Sequence, residues 1–147
     1  MKSQESFTLL EVLVAITIFI IIASLGVFAL RNVQPNLRLS GTSRDLVTDL
    51  RYAQQLAVTE QVDYGVYFST TTEDKYQIIR HGGIDEVLKE EILPEGINFQ
   101  YISPLTDNEV RFNPYGAAKE PATTTLVNIN GKTKTIRVSP SGFVKIK

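Results

Sequence analysis

Two hydrophobic patterns divide the chain. The first is continuous: from Phe7 to Leu30, 24 residues carry one ionisable side chain, Glu11. Wound as a helix at about 1.5 Å per residue, this run is roughly 36 Å long, enough to cross a hydrocarbon core of about 30 Å. The second pattern is periodic. Leu46, Leu50, Ala53 and Ala57 recur at helical spacing and make one apolar stripe. Asp45, Asp49, Arg51, Gln54 and Gln55 mostly lie off it. Between the two patterns Pro35 disfavours helical geometry at Gln34, which predicts a kink or short break at Gln34-Pro35. Gly41 is a second weak point, and Thr42 followed by Asp45 reads as a fresh helix start.

From Val62 onward the period falls to two. Val62, Tyr64, Val66 and Phe68 share one alternation, which turns that side inward. Strands are expected over 76–80 and, with Val87 and Ile92 off-register, over 87–93. Further strands follow from the alternation of Ile97, Phe99 and Tyr101, and over 110–112, 123–129, 133–139 and 143–147. Turn residues punctuate them: His81-Gly82-Gly83, Pro94-Glu95-Gly96, Asn113-Pro114-Tyr115-Gly116 and Ser139-Pro140-Ser141-Gly142. Asn130-Gly131 is the strongest hairpin signal. The expected architecture is α+β, one long helix whose second half packs on antiparallel sheet.

A carboxylate near the start of an apolar helix marks a functional site, because it is costly inside a membrane. Three readings compete for the segment. A secretory signal peptide needs a positive head and a shorter apolar core, whereas Met1-Lys2-Ser3-Gln4-Glu5-Ser6 sums to zero in side-chain charge. A plain anchor would leave Glu11 among headgroups. The third reading takes the short polar head, the small Ser6 and Phe7-Thr8-Leu9-Leu10-Glu11 together. That pattern resembles the type IV prepilin N-terminus shared by pilins and pseudopilins. A second stretch, Asp49 to Ala57 followed by a strand, resembles the helix-to-sheet junction of FimT/GspH-type minor pilins. So does the later run of Phe112, Pro114 and Gly116, a strand pair, then Ser139 and Gly142.

The resemblance implies a pilin-like α+β fold and a division of labour along the chain. Residues 1–6 would be a leader, 7–30 a transmembrane and assembly helix, 31–60 its amphipathic continuation, and 61–147 a β-rich head. It implies cleavage between Ser6 and Phe7 by a prepilin peptidase, where the family usually carries Gly in place of Ser6, and N-methylation of Phe7. Glu11 then occupies the fifth mature position, that of the family's assembly glutamate, facing the new amine of Phe7 within one chain or from a neighbour. In low dielectric, losing one member of such a pair costs about 3–5 kcal/mol. The implied partners are other pilin or pseudopilin subunits, the peptidase and the membrane. The implied place is the cytoplasmic (inner) membrane with the head outside, and then a pilus, a type II secretion pseudopilus or a competence filament.

Charge adds a second candidate surface. Glu60 to Glu109 holds eleven acidic and three basic residues, and Lys119 to Lys147 six basic residues against Glu120. These blocks read as solvated sheet faces, as faces that dock between subunits, or, for the basic block, as a DNA-holding surface formed by Lys132, Lys134, Arg137, Lys145 and Lys147. Catalysis has little support. The chain has no Cys and one His, so thiolate chemistry and disulfides are excluded. A nucleophile would have only His81 as imidazole base, and His81 reads as an exposed turn residue. Glu90-Glu91 point to opposite faces of a strand and cannot share a hydrolytic site. No metal-ligand spacing or phosphate-cradling loop is present, so neither catalytic residues, a cofactor nor a metal is expected. The six tyrosines read as core and interface.

Overall fold

The computed structural model describes residues 8–103 and 106–147, and for 25–32 and 106 the backbone alone. It divides into two compact units, Met1–Gln34 and Pro35–Lys147. Helix α1 is assigned over Leu9–Glu60, with Pro35 inside it. The expected break is therefore absent: Pro35 removes one amide donor from the ladder, and helical geometry resumes at once. The boundary between the units still falls at Gln34/Pro35. Thr42 is correspondingly a buried mid-helix residue and starts no new helix. Gly41 has open space around it.

Within Pro35–Lys147, the helix buries Leu39, Ser43, Leu46, Leu50, Ala53 and Ala57 along one face. Ser43 turns its hydroxyl onto the Leu39 carbonyl at 2.6 Å, so the stripe carries no unpaired donor. Two antiparallel sheets cover it. One has the order β3-β2-β1-β5, built from β1 (Asp63–Ser69), β2 (Lys75–Gly82), β3 (Ile84–Ile92) and β5 (Glu109–Phe112). The other has the order β4-β6-β7-β8, built from β4 (Ile97–Ser103), β6 (Ala122–Asn128), β7 (Thr133–Val138) and β8 (Val144–Ile146). The first sheet sends Tyr64, Val66, Phe68, Tyr76, Ile78, Val110 and Phe112 into the core. The second sends Ile97, Leu126, Ile136, Val138 and Val144. Phe68 meets Phe99 edge to face at 5.4 Å between ring centres, which ties the sheets together.

Two bulges explain where the alternation of the sequence fails. Ile78 pairs with Lys89 and Ile79 with Val87, so Leu88 is the extra residue in β3. One extra residue reverses the parity of the strand, and Val87 and Ile92, five apart, come out on one face. In β4 the register shifts between Phe99 and Tyr101. Ile102 takes the core-side place and Tyr101 is exposed. The hairpin at Asn130-Gly131 forms with a longer loop than a two-residue turn. The Asn128 amide donates to the Lys132 carbonyl at 2.9 Å, Gly131 supplies a φ of 73°, and Ile129 is in the loop and outside β6.

Candidate functional site: the apolar helix end and the basic face

Ser6 and Phe7 lie outside the described residues. Helix α1 starts immediately after Thr8, whose hydroxyl accepts from the Glu11 amide at 3.3 Å. Thr8 is thus an N-cap and Glu11 its third helical residue, the T-x-x-E spacing of a capping box. That spacing was legible in the sequence at Thr8 and Glu11. Beyond it the helix exposes apolar side chains on every side: Leu9 is 83 % exposed, Phe19 73 % and Ile22 64 %. Thr17 and Ser24 donate to the carbonyls of Leu13 and Ile21 at 2.8 and 2.7 Å, which leaves neither hydroxyl seeking an outside partner. Among the described residues no helix is long and apolar enough to cross a membrane. The run read as spanning also includes Phe7 and the side chains of residues 25–30, outside the described set.

The five basic residues do not share a face. Arg137 and Lys145 are register partners on β7 and β8, both exposed. Cross-strand partners point to one side of a sheet, and Lys147, two residues on and also exposed, follows the same alternation. Lys134 pairs with buried Leu126 and belongs to the opposite side, while Lys132 sits in the hairpin loop. The structure adds a residue that sequence reasoning missed. Phe143, 62 % exposed, lines a depression of about 380 Å³ together with Arg137, Lys145, Thr123 and Ser139. Its place just before a short last strand was the only available signal.

His81 is not an exposed turn residue. It belongs to β2, with Nδ1 2.9 Å from Asp85 and Nε2 2.5 Å from Glu109, and its side chain is 12 % exposed. Glu109 reaches it from β5 across β1, where Gly65 leaves the room: a Cβ there would collide with the Glu109 carboxylate. Arg111 holds the other carboxylate oxygen at 2.7 Å, and this contact pushes the guanidinium pKa up. Both imidazole nitrogens are therefore engaged by carboxylates on opposite sides, which gives no base to a hydroxyl and no convergent point for a metal. Among the described residues no cluster of metal-ligating side chains occurs. Glu90 pairs with Lys75 at 3.0 Å and Glu91 with Lys89 at 3.3 Å, two separate ion pairs.

The helix is locked to the first sheet through Asp49, a buried carboxylate. It accepts from the Tyr76 hydroxyl at 2.6 Å and from Lys89 at 2.9 Å. Burial, and then the hydrogen bond to Asp49, push the Tyr76 phenol far above its usual range; the bond to Asp49 likewise raises Lys89. On the second sheet's side, Gln54 donates to the Gly116 carbonyl at 2.6 Å and Arg51 to the Val144 carbonyl at 3.0 Å. A GspH model, described as type II transport protein GspH, matches residues 42–142, a span that holds the Asp49 and Gln54 contacts and every strand except β8. The chain belongs to the GspH family. The prokaryotic N-terminal methylation motif matches residues 1–27 as well. No significant match occurs among curated protein sequences.

Two solved structures show the same fold at low identity. The minor pseudopilin EpsH from the type 2 secretion system of Vibrio cholerae superposes with a TM-score of 0.62 at 12 % identity, covering 75 % of this chain and 96 % of that one. The type IV minor pilin FimU of Pseudomonas aeruginosa gives 0.63 at 15 % identity, covering 76 % and 90 %. The GspH-family chain therefore has the α+β pilin-like fold that its sequence resemblance implied.

Proposed function

We propose that this GspH-family chain is a minor pilin-type subunit of a type II secretion pseudopilus or a related filament. A prepilin peptidase removes residues 1–6, and Phe7 becomes the N-methylated first residue. The segment from Phe7 to Leu30 then holds the subunit in the inner membrane with its head outside. On assembly the same apolar surface leaves lipid for the packed helices of the filament. Glu11 pairs there with the Phe7 amine of a neighbour and sets the register, since otherwise apolar helices can slide past one another. The observation that carries this reading is the combination in one chain of a methylation motif at residues 1–27 with a GspH head at 42–142. Supporting it, the helix end exposes apolar side chains around one carboxylate.

Intact mass and N-terminal sequencing of the chain from native membranes test the reading. The expected product begins at N-methyl-Phe7 and sediments with sheared filaments. A chain still beginning at Met1 beside an active peptidase overturns it.

A further inference from the structure

The two sheets treat charge differently. In the first, every Lys and Arg of the strands meets a carboxylate: Lys75 pairs with Glu90, Arg80 with Glu60, Lys89 with Asp49 and Glu91, and Arg111 with Glu109. The four strands of the second sheet contain no Asp or Glu at all. Arg137 and Lys145 lie side by side on its outward face, and Lys147 joins them by donating its amide to the Thr135 carbonyl. Among the described residues none of these three cations has an ion-pair partner. Exposed Phe143, two residues before Lys145, follows the same alternation and lines the depression shared with Arg137 and Lys145. The row of Thr135 continues through Thr125 to Tyr101, a second ring that is 55 % exposed.

An aromatic ring and an arginine beside a depression are the side chains that anchor protein interfaces. Uncompensated charge of one sign calls for a partner of the other. Three cations also limit the size of that partner. Hold on a nucleic acid grows with the number of phosphates neutralised, and three neutralise few; the acid-rich first sheet adds repulsion for a long polyanion. Lys145 and Lys147 are two residues apart, about 7 Å along a strand, so carboxylates at alternate positions of an extended segment meet both. This chain does not offer such a segment to another copy of itself, because Asp85, Glu90, Glu91 and Glu109 are already engaged by His81, Lys75, Lys89 and Arg111. We propose that the outward face of the second sheet receives an extended acidic segment of a different filament subunit. Its carboxylates meet Arg137, Lys145 and Lys147, and an apolar side chain covers Phe143. The proposal rests on the filament-subunit reading and deepens it by naming the surface and the chemistry of the neighbour.

The full-length chain carrying Phe143→p-benzoylphenylalanine, a photoreactive aromatic, is expressed with its assembly machinery, irradiated and recovered in sheared filaments. Mass spectrometry is expected to find it linked to one different subunit, at a peptide with two carboxylates in alternate positions within about five residues of the link. Arg137→Glu together with Lys145→Glu should cut the linked product about tenfold or more, and Lys145→Gln alone should lower it less. Lys132→Glu, in the hairpin loop, should change it by less than about twofold. Exchanging the partner's two carboxylates for Lys should restore the link to the doubly reversed chain, which also shows that this chain is folded. If the processed chain sediments with filaments but the probe links to nothing, to another copy, to nucleic acid or to a segment without that carboxylate pair, the contact is overturned while the subunit reading stands. A chain that is neither processed nor sedimented overturns both.

Discussion

The two units solve the burial of apolar surface in opposite ways. In Pro35–Lys147 large side chains such as Leu46, Leu50, Phe68 and Phe112 are fully buried against one another, and among the described residues no buried side-chain polar atom lacks a partner. In Met1–Gln34 the side chains of Leu9, Leu10, Phe19 and Ile22 stand open, on the same helix end as Glu11. A head with a closed core carries its own stability. An exposed apolar rod of that extent is an interaction surface. Variants in the two regions should therefore fail by different measures: assembly for the rod, unfolding for the head.

The largest effect is expected at Glu11. Glu11→Gln preserves the backbone amide that donates to Thr8 but removes the charge. Incorporation into sedimentable filaments should fall at least tenfold, with cleavage and membrane extraction unchanged, because the proposed pairing would leave the Phe7 amine without its counter-charge in low dielectric. Thr8→Ala removes the cap and should cost the helix end about 1 kcal/mol, leaving incorporation within about twofold. Equal incorporation of Glu11→Gln and wild type would reduce Glu11 to a capping residue.

In the head, Gly142 is the sharpest point. Its φ is +82°, and a Cβ there would strike the Gly116 carbonyl oxygen, the acceptor for Gln54. Relief requires backbone movement, so Gly142→Ala should lower stability by about 2–4 kcal/mol, read as a fall in the urea midpoint of the full chain in detergent. Gly131, with φ +73°, has nothing within 4 Å of a built Cβ; Gly131→Ala should cost only about 1–2 kcal/mol for the left-handed backbone. If the two variants unfold alike, the close approach of Gly142 to Gly116 is not what fixes this corner.

These residues also show what the sequence could and could not reveal. The helix stripe and the inward set of β1 were readable, because 3.6- and two-residue periods report directly on burial. The course of β3 was not, since the bulge at Leu88 exists only opposite Ile78 and Ile79. The short break expected at Gln34-Pro35 did not form for a related reason: a local preference lost to the helical ladder. His81 beside two glycines resembled a turn, but its partners come from β3 and from β5 across Gly65, a juxtaposition set by strand order. The basic block was visible as composition, whereas its division between two faces depended on register.

The smallest expected effect separates the head's polar lock from its apolar core. Tyr76 is raised above its ordinary value of about 10, so the folded state holds a proton that the unfolded chain releases first. Its contribution is intact below about pH 10 and is lost as pH rises toward the folded value, at about 1.4 kcal/mol per pH unit. Lys89, also raised, acts in the same direction above its ordinary value of 10.5. Tyr76→Phe should cost about 1–2 kcal/mol at pH 8 by removing one of the hydrogen bonds to Asp49. Between pH 10 and 11 wild type should lose stability faster than the variant, and the difference between their urea midpoints should shrink. Parallel curves over that range would mean that the Tyr76 hydroxyl is not the group that couples the helix to alkaline pH.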